Sequence, residues 1–172
     1  MRTRIIFLFL FYAVSFFAAA ADQKDLAKLS QSTSPAAVKG MDLSNADLRS
    51  YQFIGEKVDL RHANLSHANL ANVNLEKLDL TDADLSYANL QNANLTQTNL
   101  TGAKLAHADL SHANLNQANL SQVNFSCANL NNANLTQANV AEAIISSATF
   151  INTITTDVLN YASVTDEKIS CE

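Results

Sequence analysis

From Val58 to Leu135 the chain alternates apolar and polar positions on a five-residue period that never slips. Every fifth position is Leu60, Leu65, Leu70, Leu75, Leu80, Leu85, Leu90, Leu95, Leu100, Leu105, Leu110, Leu115, Leu120, Leu130 or Leu135, with Phe125 the single substitute. Two residues before each stands a small or apolar residue (Val58, Ala63, Ala68, Val73, Leu78, Ala83 and onward), with Thr98 the one polar exception. Between the two stands Asn or Asp in every repeat but one, which has Lys104. The remaining two positions are polar or small. A five-residue step turns a helix by about 500°, so the leucines would circle the axis without forming a stripe. On a flat strand an odd step would send alternate leucines to opposite faces. Ala-Asn-Leu taken alone nevertheless alternates in-out-in, as a short strand does. The pattern therefore predicts a chain that turns a corner in every unit, always toward one axis, in stacked narrow coils.

Residues that stack should resemble one another, which tests the number of sides. Twenty-residue steps collect Asn74, Asn94, Asn114 and Asn134 in one column, and Gln97, Gln117 and Gln137 in another. Fifteen-residue steps give mixtures such as Asn92, His107 and Gln122, so four sides fit better than three. With only three Gly and one Pro in 172 residues, the corners are expected to do without positive φ.

Units such as AHADL, SHANL and NNANL resemble the pentapeptide-repeat family, whose consensus is Ala-(Asp/Asn)-Leu followed by two variable residues. The resemblance covers roughly Met41 to Phe150 and is specific for fold. It implies an all-β chain: a right-handed quadrilateral β-helix, the pentapeptide-repeat solenoid, with short terminal caps. It says little about activity, because function lives in sites carried on a fold.

The ends depart from the repeat. Residues 1–21 have Arg2 and Arg4, an apolar run from Ile5 to Phe17, and Ala18 to Ala21, the pattern of a secretory signal peptide cleaved after Ala21. The competing reading is an uncleaved membrane anchor. Residues 22–40 are an N-terminal cap or linker, and the β-helix is assigned to 41–152. Within it, Phe53 and Leu60 lie seven residues apart, so Ile54-Gly55-Glu56-Lys57 contains a two-residue insertion. Residues 153–172 form a C-terminal cap or tail. Ile144 takes a position usually held by Asn, and Ile151 and Ile154 follow it on the outer surface. The stretch Asp157 to Lys168 is expected to fold back as an amphipathic cover for them, with a second copy as the other candidate.

Candidate chemistry is sparse. Cys127 and Cys171 are a possible disulfide in an oxidising compartment, against two free thiols. Four-sided stacking places His67, Tyr87, His107 and Cys127 in one outward column, with His112 one side further on. Imidazole and thiolate ligate zinc or copper, but Tyr87 separates the histidines, and exposed polar residues are the expected reading. No catalytic constellation stands out, so no enzyme activity, metal or cofactor is expected. The formal charge of −5 supplies no basic patch for nucleic acid. These features predict an exported scaffold, secreted or periplasmic, whose polar faces meet a protein or glycan partner. It would be a monomer or end-to-end dimer, with no stable membrane insertion once the signal is cleaved. The family resemblance supplies the alternative, a DNA mimic that binds a topoisomerase such as DNA gyrase. Against it, the Asp59 and Asp79 column continues as Asn99, Asn119 and Asn139.

Overall fold

The computed structural model describes residues 39–53, 58–166 and 170–171. The segments assigned to the signal peptide and to most of the N-terminal cap, and the insertion Ile54–Lys57, lie outside the described residues. Within them the chain winds as a four-sided parallel β-helix. Each side contributes one bridging residue per coil, and the pairs from Asp59↔Asp79 to Asn139↔Leu159 lie twenty residues apart, among them Asn74↔Asn94, Asn94↔Asn114 and Asn114↔Asn134; the last, Ile144↔Thr165, is one residue longer. Two earlier pairs, Asp42↔Asn64 and Asp47↔Asn69, are spaced by twenty-two, which is how the extra residues register in the ladder.

The interior is a column of leucines. Leu60, Leu70, Leu80, Leu90, Leu100, Leu110 and Leu120 are fully buried, and the alanines two residues before the leucines interleave with them. Each buried leucine contributes about 1.5–3 kcal/mol of transfer free energy, mostly offset by the entropy of ordering the chain. Thr98, the polar exception, is also buried, and its Oγ1 donates to the carbonyl of Leu75 at 2.8 Å. A hydroxyl is tolerated there because a main-chain acceptor one coil below meets it.

One unit, Asn94 to Thr98, shows why the repeat has five residues. The Asn94 N–H donates to Val73 in the coil below, and the Leu95 N–H donates to Asn114 in the coil above. The Gln97 N–H donates upward to Asn116, and the Thr98 N–H closes a turn onto Leu95. The fifth donor, the Thr96 N–H, finds no main-chain carbonyl and bonds to Oδ1 of Asn94 at 3.1 Å. That is an Asx turn, and it explains why this position is Asn or Asp. The same bond recurs from Ser66 to Asn64, Thr81 to Asp79, Ser111 to Asp109 and Ser121 to Asn119.

The expectation that corners avoid positive φ is wrong. Nearly every corner has a residue with φ between 53° and 63°, from Asn45 and His62 to Asn152 and Asp157, and almost all of these are not glycine. With the i→i+3 bond, as from Ala63 to Leu60, this is the type II turn, in which the third residue is left-handed. A left-handed residue is disfavoured without the support of neighbours; here its N–H is held by the next coil, as from Gln97 to Asn116 at 2.9 Å. The sequence carried a signal for it. No Val, Ile or Thr stands at any of these corners, whereas the preceding position holds Thr81, Thr96, Thr101, Thr136 and Ile151. β-Branched side chains are the ones that positive φ excludes most strongly.

The tail also departs from expectation. It does not fold back over the outer isoleucines; Ile144, Ile151 and Ile154 are exposed. The chain keeps coiling, with Leu159 bridged to Asn139 and Thr165 to Ile144 after a short 3-10 turn at Tyr161–Ser163. Val158 and Val164 pack against the end of the core. Each N–H–carbonyl pair in the extra coil extends an existing ladder, which a folded-back helix would have left open.

Candidate functional site

The outer surface presents four flat walls and four corners, and its side chains are set in register by the ladders beneath them. On the Asn74 wall the amides reach down to the coil below: Asn94 Nδ2 donates to Asn74 Oδ1 at 3.0 Å, and Asn114 Nδ2 to Thr96 Oγ1 at 2.9 Å. On the Asp59 wall Asn119 Nδ2 donates to Thr101 Oγ1 at 2.9 Å, and Asn139 Nδ2 to Ser121 Oγ at 2.8 Å. One corner carries a glutamine ladder, Gln97 to Gln117 at 2.7 Å and Gln117 to Gln137 at 2.8 Å. Each amide therefore has little rotational freedom left to lose when a partner binds.

The diagonally opposite corner carries the aromatic column. Tyr87 lies between His67 and His107 with ring centroids 4.8 and 4.5 Å apart and planes within 5° of parallel. The ring faces are spent on one another, so the edges face outward. Next in the column stands Cys127, joined to Cys171 with Cα atoms 5.6 Å apart. At the corner between these two His62 Nδ1 lies 3.7 Å from Asp82 Oδ2, and Asp82 Oδ1 occupies the space that a Cβ on Gly102 would need. Among the described residues no group of three His, Cys, Asp or Glu could hold a metal ion.

The charged groups are committed locally. Arg49 forms a two-point pair with Asp47, and Arg61 one with Asp59. Those hydrogen bonds hold both carboxylates below their ordinary pKa. Asp84 is pushed up by burial, but bonds from Ser86 and the charge of Lys104 outweigh it and leave the group lowered. Tyr51 is raised by burial. These shifts belong to ion pairs and turns on open walls, and no two perturbed groups face each other across a cleft.

Among the described residues an apolar recess lies at the C-terminal end of the rod. A cavity of about 530 Å³ opens there, floored by Phe125, Leu135, Val140 and Phe150 and bordered by Val158 and Tyr161. Sequence reasoning flagged the outer isoleucines but not this recess, because Thr153 and Thr155 break the apolar frame just where the core ends.

The sequence matches the family model for pentapeptide repeats in overlapping stretches at residues 56–86, 63–102, 79–117, 103–140 and 124–154. Among solved structures the chain is similar to a pentapeptide repeat protein from the Arabidopsis thaliana thylakoid lumen, at 29% identity over 53% of this chain and 67% of that one, with a TM-score of 0.46. It is similar to HetL, a pentapeptide repeat protein involved in heterocyst differentiation regulation from the cyanobacterium Nostoc, at 29% identity over 70% and 66%, TM-score 0.40. A third, Rfr23 from the cyanobacterium Cyanothece, gives 28% identity over 84% and 98%, TM-score 0.35. No curated protein matches the sequence.

Proposed function

The chain belongs to the pentapeptide-repeat family of right-handed quadrilateral β-helices, and on that premise we propose that it is an exported, non-enzymatic scaffold whose polar walls bind a protein or glycan partner. The observation that carries this reading is the surface order. Amides and hydroxyls repeat at fixed register along the walls, tied to one another and to the turns, as in the Gln97–Gln117–Gln137 ladder. Such a surface is preorganised for many weak polar contacts along its length, which suits an extended partner.

Export is supported by residues 1–21 and by the Cys127–Cys171 bond, which an oxidising compartment favours. No helix among the described residues is long and apolar enough to cross a membrane. Acidic groups are too few and too neutralised to imitate a phosphate backbone: Asp47 and Asp59 are paired with arginines, and Lys104 sits 3.6 Å from Asp84. The test is fractionation of a C-terminally tagged chain, with mass determination of its N-terminus and proximity labelling in the compartment where it is found. Cleavage after Ala21 and labelled neighbours outside the cytoplasm are expected. A full-length cytoplasmic chain that inhibits gyrase supercoiling would replace this reading with the DNA-mimic one.

A further inference from the structure

Among the described residues the last coil ends with an open edge. One coil below, the N–H groups of Leu130, Asn132, Leu135 and Gln137 donate to the carbonyls of Thr149, Ile151, Ile154 and Thr156 at 2.7–2.9 Å. Their counterparts in the last coil, the N–H groups of Phe150, Asn152, Thr155 and Asp157, donate to nothing among the described residues. The carbonyls of Ala128 and Ala133 accept from the next coil, and those of Ala148 and Thr153 have no such donor. Donors and acceptors thus alternate along two sides of the square, which is the pattern of an open strand edge. Beside this edge lies the 530 Å³ cavity, and outside it stand Ile151 and Ile154, 64% and 50% exposed. The only charged side chains between residues 139 and 166 are Glu142, Asp157 and Asp166, and no Lys or Arg occurs from 105 to 166.

We propose that this edge takes up an extended segment of a partner protein in which apolar residues alternate with basic ones. The main chain of that segment completes the ladder, its apolar side chains fill the cavity, and its basic side chains answer the three acids. A second copy docked end to end would set the same acids against their own kind. A lipid surface would offer the open N–H groups no acceptors within its hydrocarbon layer. The proposal rests on the scaffold reading above and names the chemistry of its partner.

The full chain, purified as the cell processes it, is titrated by fluorescence anisotropy with a labelled nonapeptide of alternating Val and Lys, and with its Val and Glu counterpart. The Val-Lys peptide is expected to bind at least tenfold more tightly. Thr155→Pro, which removes one open N–H and no internal bond, should weaken it tenfold or more, as should Ile154→Lys. Equal binding of the two peptides, binding of neither, or no loss in these variants overturns the proposal. So does a dimer in sedimentation equilibrium that Ile154→Lys dissociates, or flotation with phosphatidylcholine vesicles that the same variant abolishes. If Thr155→Pro fails to fold by circular dichroism, the Ile154→Lys result decides. Proximity labelling separates the two levels: an unchanged set of neighbours in Ile154→Lys defeats the edge proposal and leaves the scaffold standing, whereas no neighbours in the wild type removes both.

Discussion

The middle coils and the last coil are made by the same winding, yet they solve their polar accounts differently. Between Leu60 and Leu135 each unit has an inward Leu, an outward Asn or Asp, and a carbonyl waiting in the coil above. In the last coil the outward positions are Thr149, Ile154, Leu159 and Thr165, and among the described residues no further bridge lies above them. Ile145 and Phe150 are only partly buried where Leu100 and Leu120 are fully so. A repeat of this kind stabilises itself only between neighbours, so an end is weaker by construction. What the difference teaches is that this chain's end carries little charge on its edge, Asp157 being the exception, and sets the exposed Ile151 and Ile154 beside it. Its apolar surface is left accessible, and that is where a specific contact has most to gain.

The largest effects should come from breaking the middle. Leu100→Ala is expected to cost about 2–5 kcal/mol, because coils above and below cannot both collapse into the void. Val158→Ala at the end should cost well under half as much. Urea unfolding of both variants measures the contrast, and equal losses would mean that the two regions are packed alike. The Cys127–Cys171 bond comes next. It joins residues 44 apart in sequence, and its removal by Cys171→Ser should lower stability by about 2–4 kcal/mol. The loss should be the same in reduced wild type, read by urea unfolding with and without dithiothreitol.

Corners give the next effect. Gln117→Val should cost about 1–3 kcal/mol, since a β-branched residue is forced to positive φ, while Gln117→Gly should be close to neutral. Gly102→Ala should be destabilising as well, because Gly102 has a φ of +68° and its Cβ would meet Asp82 Oδ1. Asp82→Ala in the same chain should recover the part of that loss due to the contact, as read from thermal melts of the single and double variants.

The corners also mark the limit of what the sequence discloses. The leucine column and the twenty-residue stack are legible because sixteen units say the same thing, and one substitution such as Phe125 does not blur the frame. Positive φ is not written in any one residue. It shows only as an absence, the missing Val, Ile and Thr at the corner position, and the shortage of glycine points the other way. The Asx turn was similarly hidden. Asn64 and Asn94 look like members of a stacking column, and only the stranded N–H two residues later shows that their first duty is local. At the end, Thr155 and Asn160 fall on core positions of the frame, so the tail resembles a separate cap although it coils on. The His67–Tyr87–His107 column follows from stacking twenty residues apart, whereas Cys127 and Cys171 lie 44 apart and only the fold brings them together.

The Asx turn gives a way to exchange the two regions. Asn119→Ala strands the Ser121 N–H and leaves the Asn139 Nδ2 only its bond to Ser121 Oγ, and should cost about 1 kcal/mol or somewhat more. Ile154→Asn performs the reverse experiment, giving the last coil the acceptor that the middle coils have. It should be neutral or slightly stabilising, and it should remove apolar surface seen by a hydrophobic dye. A large loss from Ile154→Asn would mean that the exposed isoleucine already has a structural partner.

The smallest effect is electrostatic and sits at the opposite end of the rod. Asp59 is hydrogen-bonded by Arg61 in the folded chain, which lowers its pKa below that of an unfolded aspartate. The folded state therefore binds its proton less readily, and the pair's contribution is complete above the unfolded pKa. It is lost as pH falls from there toward the lower folded value. Asp47, held by Arg49, follows the same course. Because both arginines are exposed to solvent and salt, the contribution is small. Arg61→Gln should flatten the acid limb of a stability–pH curve below the unfolded aspartate pKa of about 4 and leave stability near neutrality almost unchanged. The same substitution should leave the exposed end untouched, so peptide binding at the Ile154 edge is the control. If acid stability in Arg61→Gln follows the wild-type curve, the carboxylate owes its shift to the turn at Arg61 N–H and not to the guanidinium.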